Sequence, residues 1–228
     1  IGHLIDGAVA FDAKGYDSYF GLATYDKDGS RKADNVKELK SFFLDLDCGP
    51  SKDYANQGDA IVALRRFCKE LQLPKPLTVN SGRGVHVYWG LTESVGKENW
   101  LQVSRVLKAK CTQHNLLADP AVTADAARVL RIPSTHNNKA DPPLEVTFIS
   151  NSMPDTVDFD EFSELLGGDP IPVPNRYVPT QNNATSEALI NNVENVFKDI
   201  LVKTASGNGC QQIGIIARDQ ETVSEPLW

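Results

Sequence analysis

The chain has little cysteine, methionine or aromatic residue: 4 Cys, 1 Met and 8% Phe, Trp and Tyr in 228 residues. Cys48, Cys68, Cys111 and Cys210 are widely scattered and form no CxxC pair, which argues against a zinc site and a disulfide framework. The expectation is reduced thiols in a cytoplasm. No apolar run approaches the roughly 18 residues that cross a bilayer, and IGHLIDGAVAF has neither the basic start nor the apolar block of a cleavable leader. Nothing in these patterns points to a membrane or to secretion, and no internal repeat is visible.

What is there is an ordinary globular composition. Hydrophobic residues make up 41% of 25.0 kDa, enough for a core of one domain plus an appendage. The net charge of −7 disfavours nucleic acid when taken as an average. Between Ile61 and Ala140, however, stand twelve Lys or Arg against five Asp or Glu. A basic centre in an acidic chain is compatible with a phosphate-bearing partner, although many of these charges also suit a solvated helix surface.

Short β-rich runs alternate with amphipathic stretches, which predicts a mixed α/β or α+β core. Strands are expected at Tyr19–Thr24, Ser41–Asp47, Leu77–Asn80, Val85–Trp89 and Leu144–Ser150. Helices are expected over Asp59–Leu73 and Lys97–His114, each with an apolar side, and over Asp125–Leu130, ended by Pro133. After Leu166 the run GGDPIPVPNRYVPTQNNATS reads as a linker. The division is therefore a core over 1–165, a linker over 166–184 and a helical segment over 185–228, with the sequence ending as a piece of a longer protein would.

Three constellations carry chemistry. In SFFLDLDCG the strand period turns Leu44 and Leu46 to one face and Asp45 and Asp47 to the other. Two carboxylates so spaced can share hard divalent cations such as Mg²⁺ or Mn²⁺. The plainer alternative is a solvated strand end before the turn at Cys48-Gly49-Pro50. In TVNSGRGVHVYWG, two apolar runs flank Ser81-Gly82-Arg83-Gly84, a tight connection. Its glycines admit close backbone approach, and Ser81, Arg83 and His86 could donate to phosphate oxygens. His86 could equally be a satisfied structural histidine. In LLADPAVTADAARVLRIPSTHNNK, Asp119 offers a third carboxylate and Asp125 competes with it. Arg128 and Arg131, at i and i+3 of the expected helix, would grip one anion.

Taken in order, DLD, SGRGVH, and AD with the downstream RVLRIPSTHNNK resemble the catalytic core of the archaeo-eukaryotic primase superfamily, more narrowly the primase-polymerases of phages and plasmids. The resemblance covers about Val36 to Lys139, and more loosely the tail from Asn208. Relatives tend to run from an arginine helix into Pro-Gly-Thr-x-Asn-x-Lys. Pro133, Thr135, Asn137 and Lys139 match this, Ser134 stands in place of the glycine, and His136 fills a variable position.

The resemblance implies an α+β fold: an RRM-like antiparallel sheet beside a second small α/β lobe, with the active site in a cleft between them and a helical appendage following. It implies a DNA primase-polymerase, with Asp45, Asp47 and Asp119 as metal ligands and His86 as a further catalytic residue. Nucleotide would be bound by Ser81, Gly82, Arg83, Gly84, His86, Arg128, Arg131, Asn137 and Lys139. Mg²⁺ or Mn²⁺ would be the cofactor, without the zinc element of some relatives. Single-stranded DNA template, primer and nucleoside triphosphates would be the partners, with a helicase on the full-length chain, in the cytoplasm of a bacterium hosting a phage or plasmid. A tyrosine-dependent nicking initiator is a rival, though its His-x-His pair is here His86-Val87-Tyr88. A non-catalytic single-strand binding module is another, stacking bases on the few aromatics.

Overall fold

A computed structural model describes residues 2–167. The chain order is α1 (Gly2–Asp12), β1 (Tyr19–Gly21), β2 (Ala23–Tyr25), β3 (Val36–Asp47), α2 (Gln57–Glu70), β4 (Leu77–Asn80), β5 (Gly84–Gly96), α3 (Lys97–Gln113), α4 (Pro120–Thr123), β6 (Val129–Arg131), β7 (His136–Asn137), β8 (Leu144–Glu145), β9 (Thr147–Phe148) and α5 (Phe159–Leu165). The linker expected over 166–184 lies outside the described residues except at Leu166, which is buried, and Gly167; the helical segment expected over 185–228 lies wholly outside them.

A five-stranded sheet in the order β2-β3-β5-β4-β9 forms the centre, every neighbouring pair antiparallel, and two small sheets pair β1 with β6 and β7 with β8. The result is a mixed helix-and-strand fold around a curled antiparallel sheet. Its axis is β3 with β5, which run together from Glu38 opposite Gly96 to Asp47 opposite Gly84, with an irregularity between Leu39 and Ser41.

These two strands lie centrally because Phe42, Phe43, Leu44, Leu46, Val85, Val87 and Trp89 are all buried, so both sides of the pair are covered. Trp100 of α3 stacks on Phe42 and Phe43 at 5.8 and 5.4 Å between centroids, and Phe162 of α5 stacks on Phe42 at 4.7 Å. Each such side chain contributes ~1.5–3 kcal/mol on burial. The Trp100 indole is satisfied by donating to the Ser41 carbonyl at 2.8 Å.

Local chemistry sets the helix ends. Asn56 accepts the Asp59 amide at α2, and Asp158 accepts the Asp160 and Glu161 amides at α5. At α2 the end comes at Leu71, before Gln72 at φ +55.

Three expectations need correction. The strand expected over Tyr19–Thr24 is two, broken at Leu22, because β1 pairs with β6 while β2 pairs with β3. The strand expected over Leu144–Ser150 is likewise split between partners β7 and β4. The helix expected over Asp125–Leu130 does not form: its last residues belong to β6, where Val129, Leu130 and Arg131 pair with Gly21, Phe20 and Tyr19. Helix propensity in ADAAR loses to a strand partner more than a hundred residues away, which no local pattern registers. Arg128 and Arg131 therefore share no helix face. The helices α1, α4 and α5 lie outside those that the sequence pattern predicts.

Ser134 sits at φ +66, in the left-handed region, where the family pattern has glycine. A side chain there costs about 1 kcal/mol. Ser134→Gly is expected to raise stability by ~0.5–1 kcal/mol in urea denaturation; a loss of stability would show that the serine side chain itself matters there.

Candidate active site

The β3–β5 register builds the site. Asp45 lies directly across from His86 and Asp47 across from Gly84, so the carboxylate pair and the SGRG turn meet at one end of the central strands. As alternation predicts, Leu44 and Leu46 are fully buried while Asp45 and Asp47 are partly exposed. They open onto a cleft of about 690 Å³. Of the sequence-predicted residues, Asp45, Asp47, Ser81, Gly82, Arg83, His86, Arg128, Arg131, Asn137 and Lys139 all line it. Gly84 and Asp119 do not, although both adjoin it.

Glycine is needed at two points of the turn. Gly82 has φ +86, and a Cβ on it would stand 2.8 Å from the Asn137 Cβ. At Gly84 a Cβ would meet the Leu46 carbonyl oxygen at 2.5 Å, so only glycine lets β5 pair this close to the Asp45–Asp47 strand. The turn is braced from beneath: Asn80 accepts the Gly82 amide at 2.9 Å and the Asn137 side chain donates to the Ser81 carbonyl at 2.9 Å. Asn137 also accepts the Lys139 amide. It is buried and supports the loop, while Arg83 and Lys139 are exposed on the cleft.

Burial, then the charges of Asp47 and Asp119, push the Asp45 carboxyl up to about 7. That is the signature of a carboxylate group short of positive charge. Part of the deficit is met by Lys52, whose Nζ lies 2.7 Å from Asp47 Oδ2. As the side chains stand, no three His, Cys, Asp or Glu among the described residues form a metal-holding group. Asp119 is close to the pair, its amide donating to the Asp45 carbonyl at 2.9 Å, but its carboxylate caps α4 by accepting the Ala121 amide at 2.8 Å. Asp125 is taken by the Ala127 amide and by Arg128 at 3.2 Å. Asp45 and Asp47 together fit a divalent cation: two oxygen donors on one face, one of them buried with too little counter-charge.

His86 is buried, with Nε2 3.9 Å from Asp45 Oδ1 and Nδ1 3.4 Å from the Tyr88 hydroxyl. Burial and the nearby Arg131 push its pKa down to about 3, so it is neutral at pH 7.

Arg131 is committed elsewhere than expected. Its Nη1 and Nη2 lie 2.7 and 2.9 Å from the two Asp17 oxygens, and its guanidinium sits 4.8 Å from the centre of the Tyr19 ring. Burial alone would raise the Asp17 pKa, but Arg131 and the Asn138 amide hold it down at about 2. Arg128 donates to the Ala121 carbonyl at 2.9 Å. Sequence reasoning missed Asp17, Tyr19, Gln57 and Lys52. For Lys52 a signal existed, five residues past Asp47 beyond a Gly-Pro turn; Asp17 and Tyr19 depend on Arg131, 114 residues from Asp17, and had none.

No protein-family model matches the chain. A replication protein of Clostridium perfringens is 29% identical over 128 residues, covering 54% of this chain. The chain spans only 29% of that curated relative's length. Among solved structures, the AEP domain of the cyanophage S-2L primase-polymerase (PrimPol) aligns with a TM-score of 0.52 over 70% of this chain and 75% of that one. At 16% identity this is a likeness of fold.

The folded pKa of Asp45, about 7, exceeds the unfolded value of about 3.9. Asp45 therefore progressively weakens the metal-free fold as pH rises through that window. Asp45→Asn is expected to remove this slope and add about 2 kcal/mol at pH 8 in urea denaturation with EDTA; an unchanged pH slope would refute the assignment. Gly84→Ala is expected to cost about 2 kcal/mol or more, because backbone must move to admit the methyl. A native-like stability would mean that the strands are not so tightly joined here.

Proposed function

We propose that this chain is the catalytic core of a DNA primase-polymerase, carrying out metal-dependent, template-directed nucleotidyl transfer. The carrying observation is the Asp45–His86 register, which joins a part-buried carboxylate pair, short of positive charge at Asp45, to a glycine turn and a cleft bearing Arg83 and Lys139. Likeness in fold to a phage primase-polymerase domain and in sequence to a replication protein supports a replication-related primase role. In this reading the five-stranded sheet is the RRM-like half, and the small sheets, which supply Tyr19, Arg131 and Asn137 to the cleft, belong to the second lobe.

Asp45 and Asp47 would hold Mg²⁺ or Mn²⁺, with Asp119 completing the set if its side chain leaves the α4 cap. Bound there, the cation lowers the pKa of the attacking hydroxyl and offsets phosphate charge. The reaction joins a primer 3′-hydroxyl oxygen to the α-phosphorus of a nucleoside triphosphate, and pyrophosphate departs. Arg83 and Lys139, exposed on the cleft, bind phosphate oxygens, as Arg128 does from beside β6. Ser81 and the Gly82 backbone present the turn to the ligand, and Asn137 holds that turn in place. His86, neutral and buried beside Asp45, leaves the compensation of that carboxylate to the cation. Arg131 acts chiefly through structure, fixing Tyr19 and the chain around Asn138 by way of Asp17.

The tyrosine-nicking alternative needs an accessible nucleophile, and Tyr88 is 6% exposed with its pKa raised by burial. A helicase on the same polypeptide and a phage or plasmid setting in a bacterial cytoplasm remain part of the proposal.

Replacing Asp45 and Asp47 together by alanine is expected to lower extension of a labelled primer on single-stranded template, with Mg²⁺ or Mn²⁺, by on the order of a thousandfold. Extension by the double variant at the wild-type rate would sink this reading.

A further inference from the structure

Lys52 has no part in the nucleotidyl transfer proposed for the site, yet its ammonium lies directly on one of the two carboxylates. Nζ lies 2.7 Å from Asp47 Oδ2, and both side chains are partly exposed, 49% and 38%. The loop carrying it is tied at both ends: the Gly49 amide donates to the Tyr54 carbonyl at 2.9 Å and the Cys48 amide to the Arg83 carbonyl at 2.9 Å. Gly49, at φ +139, makes the reversal that returns Lys52 over the strand end it has just left. The loop therefore holds its backbone on one wall of the cleft while the side chain is a flexible four-carbon arm.

Resting on the metal-dependent reading, we propose that Lys52 is a triphosphate ligand whose ammonium is held on Asp47 until a divalent cation takes that carboxylate. A divalent ion bound at the oxygen that Lys52 contacts would stand within a few ångströms of its ammonium, and the two positive charges repel. An ammonium near 2.7 Å of a carboxylate stands where a hard cation would bind, and the divalent ion wins on charge. Once displaced, the lysine cannot stay beside that ion, because like charges repel. The cleft already carries Arg83 and Lys139, so the nearest anion for a released ammonium is a phosphate bound there. The exposed pair holds weakly enough for exchange, since solvent screens such contacts. Lysine suits this task better than arginine, whose planar fork would grip the carboxylate with two bonds.

The test is calorimetric, on the full chain, in three proteins: wild type, Lys52→Ala, and the double variant Asp45→Asn with Asp47→Asn. Mn²⁺ alone is titrated first, then a non-hydrolysable nucleoside triphosphate at saturating Mn²⁺. With its competitor gone, Lys52→Ala is expected to bind Mn²⁺ about threefold more tightly, and to bind the triphosphate about tenfold more weakly. Unchanged or weaker Mn²⁺ affinity in Lys52→Ala, or undiminished triphosphate affinity, overturns the role of Lys52 alone, provided the double variant has lost Mn²⁺. Full Mn²⁺ affinity in the double variant overturns the metal reading, and the Lys52 role with it. Thermal unfolding of Lys52→Ala near that of wild type excludes misfolding as the cause, as expected for an exposed loop side chain.

Discussion

Everything at this site depends on the antiparallel pairing of β3 with β5. It places Asp45 opposite His86 and Asp47 opposite Gly84, and a slip of one residue would turn both carboxylates into the core. The core itself forbids that slip, because Leu44 and Leu46 would then face the cleft and their buried area would be lost. Gly84 adds a steric condition, since the strands come so close beside Leu46 that no Cβ fits between them. Hydrophobic burial thus sets the chemistry indirectly: the register that satisfies the leucines is the register that exposes the aspartates.

The same logic separates the cations. Arg131 is 5% exposed and spends its guanidinium on Asp17, so it joins the first strand to the segment around Asn138. Asp12 works alongside it, accepting from both the backbone and the ring of His136 at 2.6 Å. Asn137, one residue on, is spent on Ser81. These groups brace the SGRG turn, while Arg83 and Lys139 stand exposed on the cleft. A residue can therefore line a cleft and still act mainly by holding its neighbours.

Much of this was legible in the sequence, for a physical reason. β3, β5, α2 and α3 are long and strongly periodic, and they carry half of the buried hydrophobic residues, so the Asp45–Asp47 face and the SGRG turn follow from alternation and glycine chemistry alone. What was not legible depends on partners distant in sequence. ADAARVLR has good helix formers, and nothing within it announces that Val129–Arg131 will pair with Tyr19–Gly21. The long run at Leu144 splits because its two halves serve different sheets. Burial of His86 was visible only once helices and strands closed around it, and with burial went its positive charge. Ser134 lies between these cases: departure from a glycine pattern marked the position, but only the φ of +66 explains why the pattern wants glycine.

The charge balance of the cleft gives the remaining argument. Its walls carry Lys52, Arg83, Arg128, Arg131 and Lys139 against Asp45 and Asp47, in a chain whose net charge is −7. The excess is smaller than that count suggests, since Arg131 is neutralised by Asp17, Arg128 is paired with Asp125, and Lys52 by Asp47. What is left is Arg83 and Lys139 on one side and the under-compensated Asp45 on the other. A bare anion would be drawn to the first and repelled by the second, and a bare cation the reverse. On the metal-dependent reading proposed for the site, a polyanion arriving with its own divalent counter-ion would suit both, with positive charge on the carboxylates and negative charge under Arg83 and Lys139. A metal-bound triphosphate has that form, whereas a phosphodiester backbone without metal would bring repulsion to Asp45 with nothing to offset it.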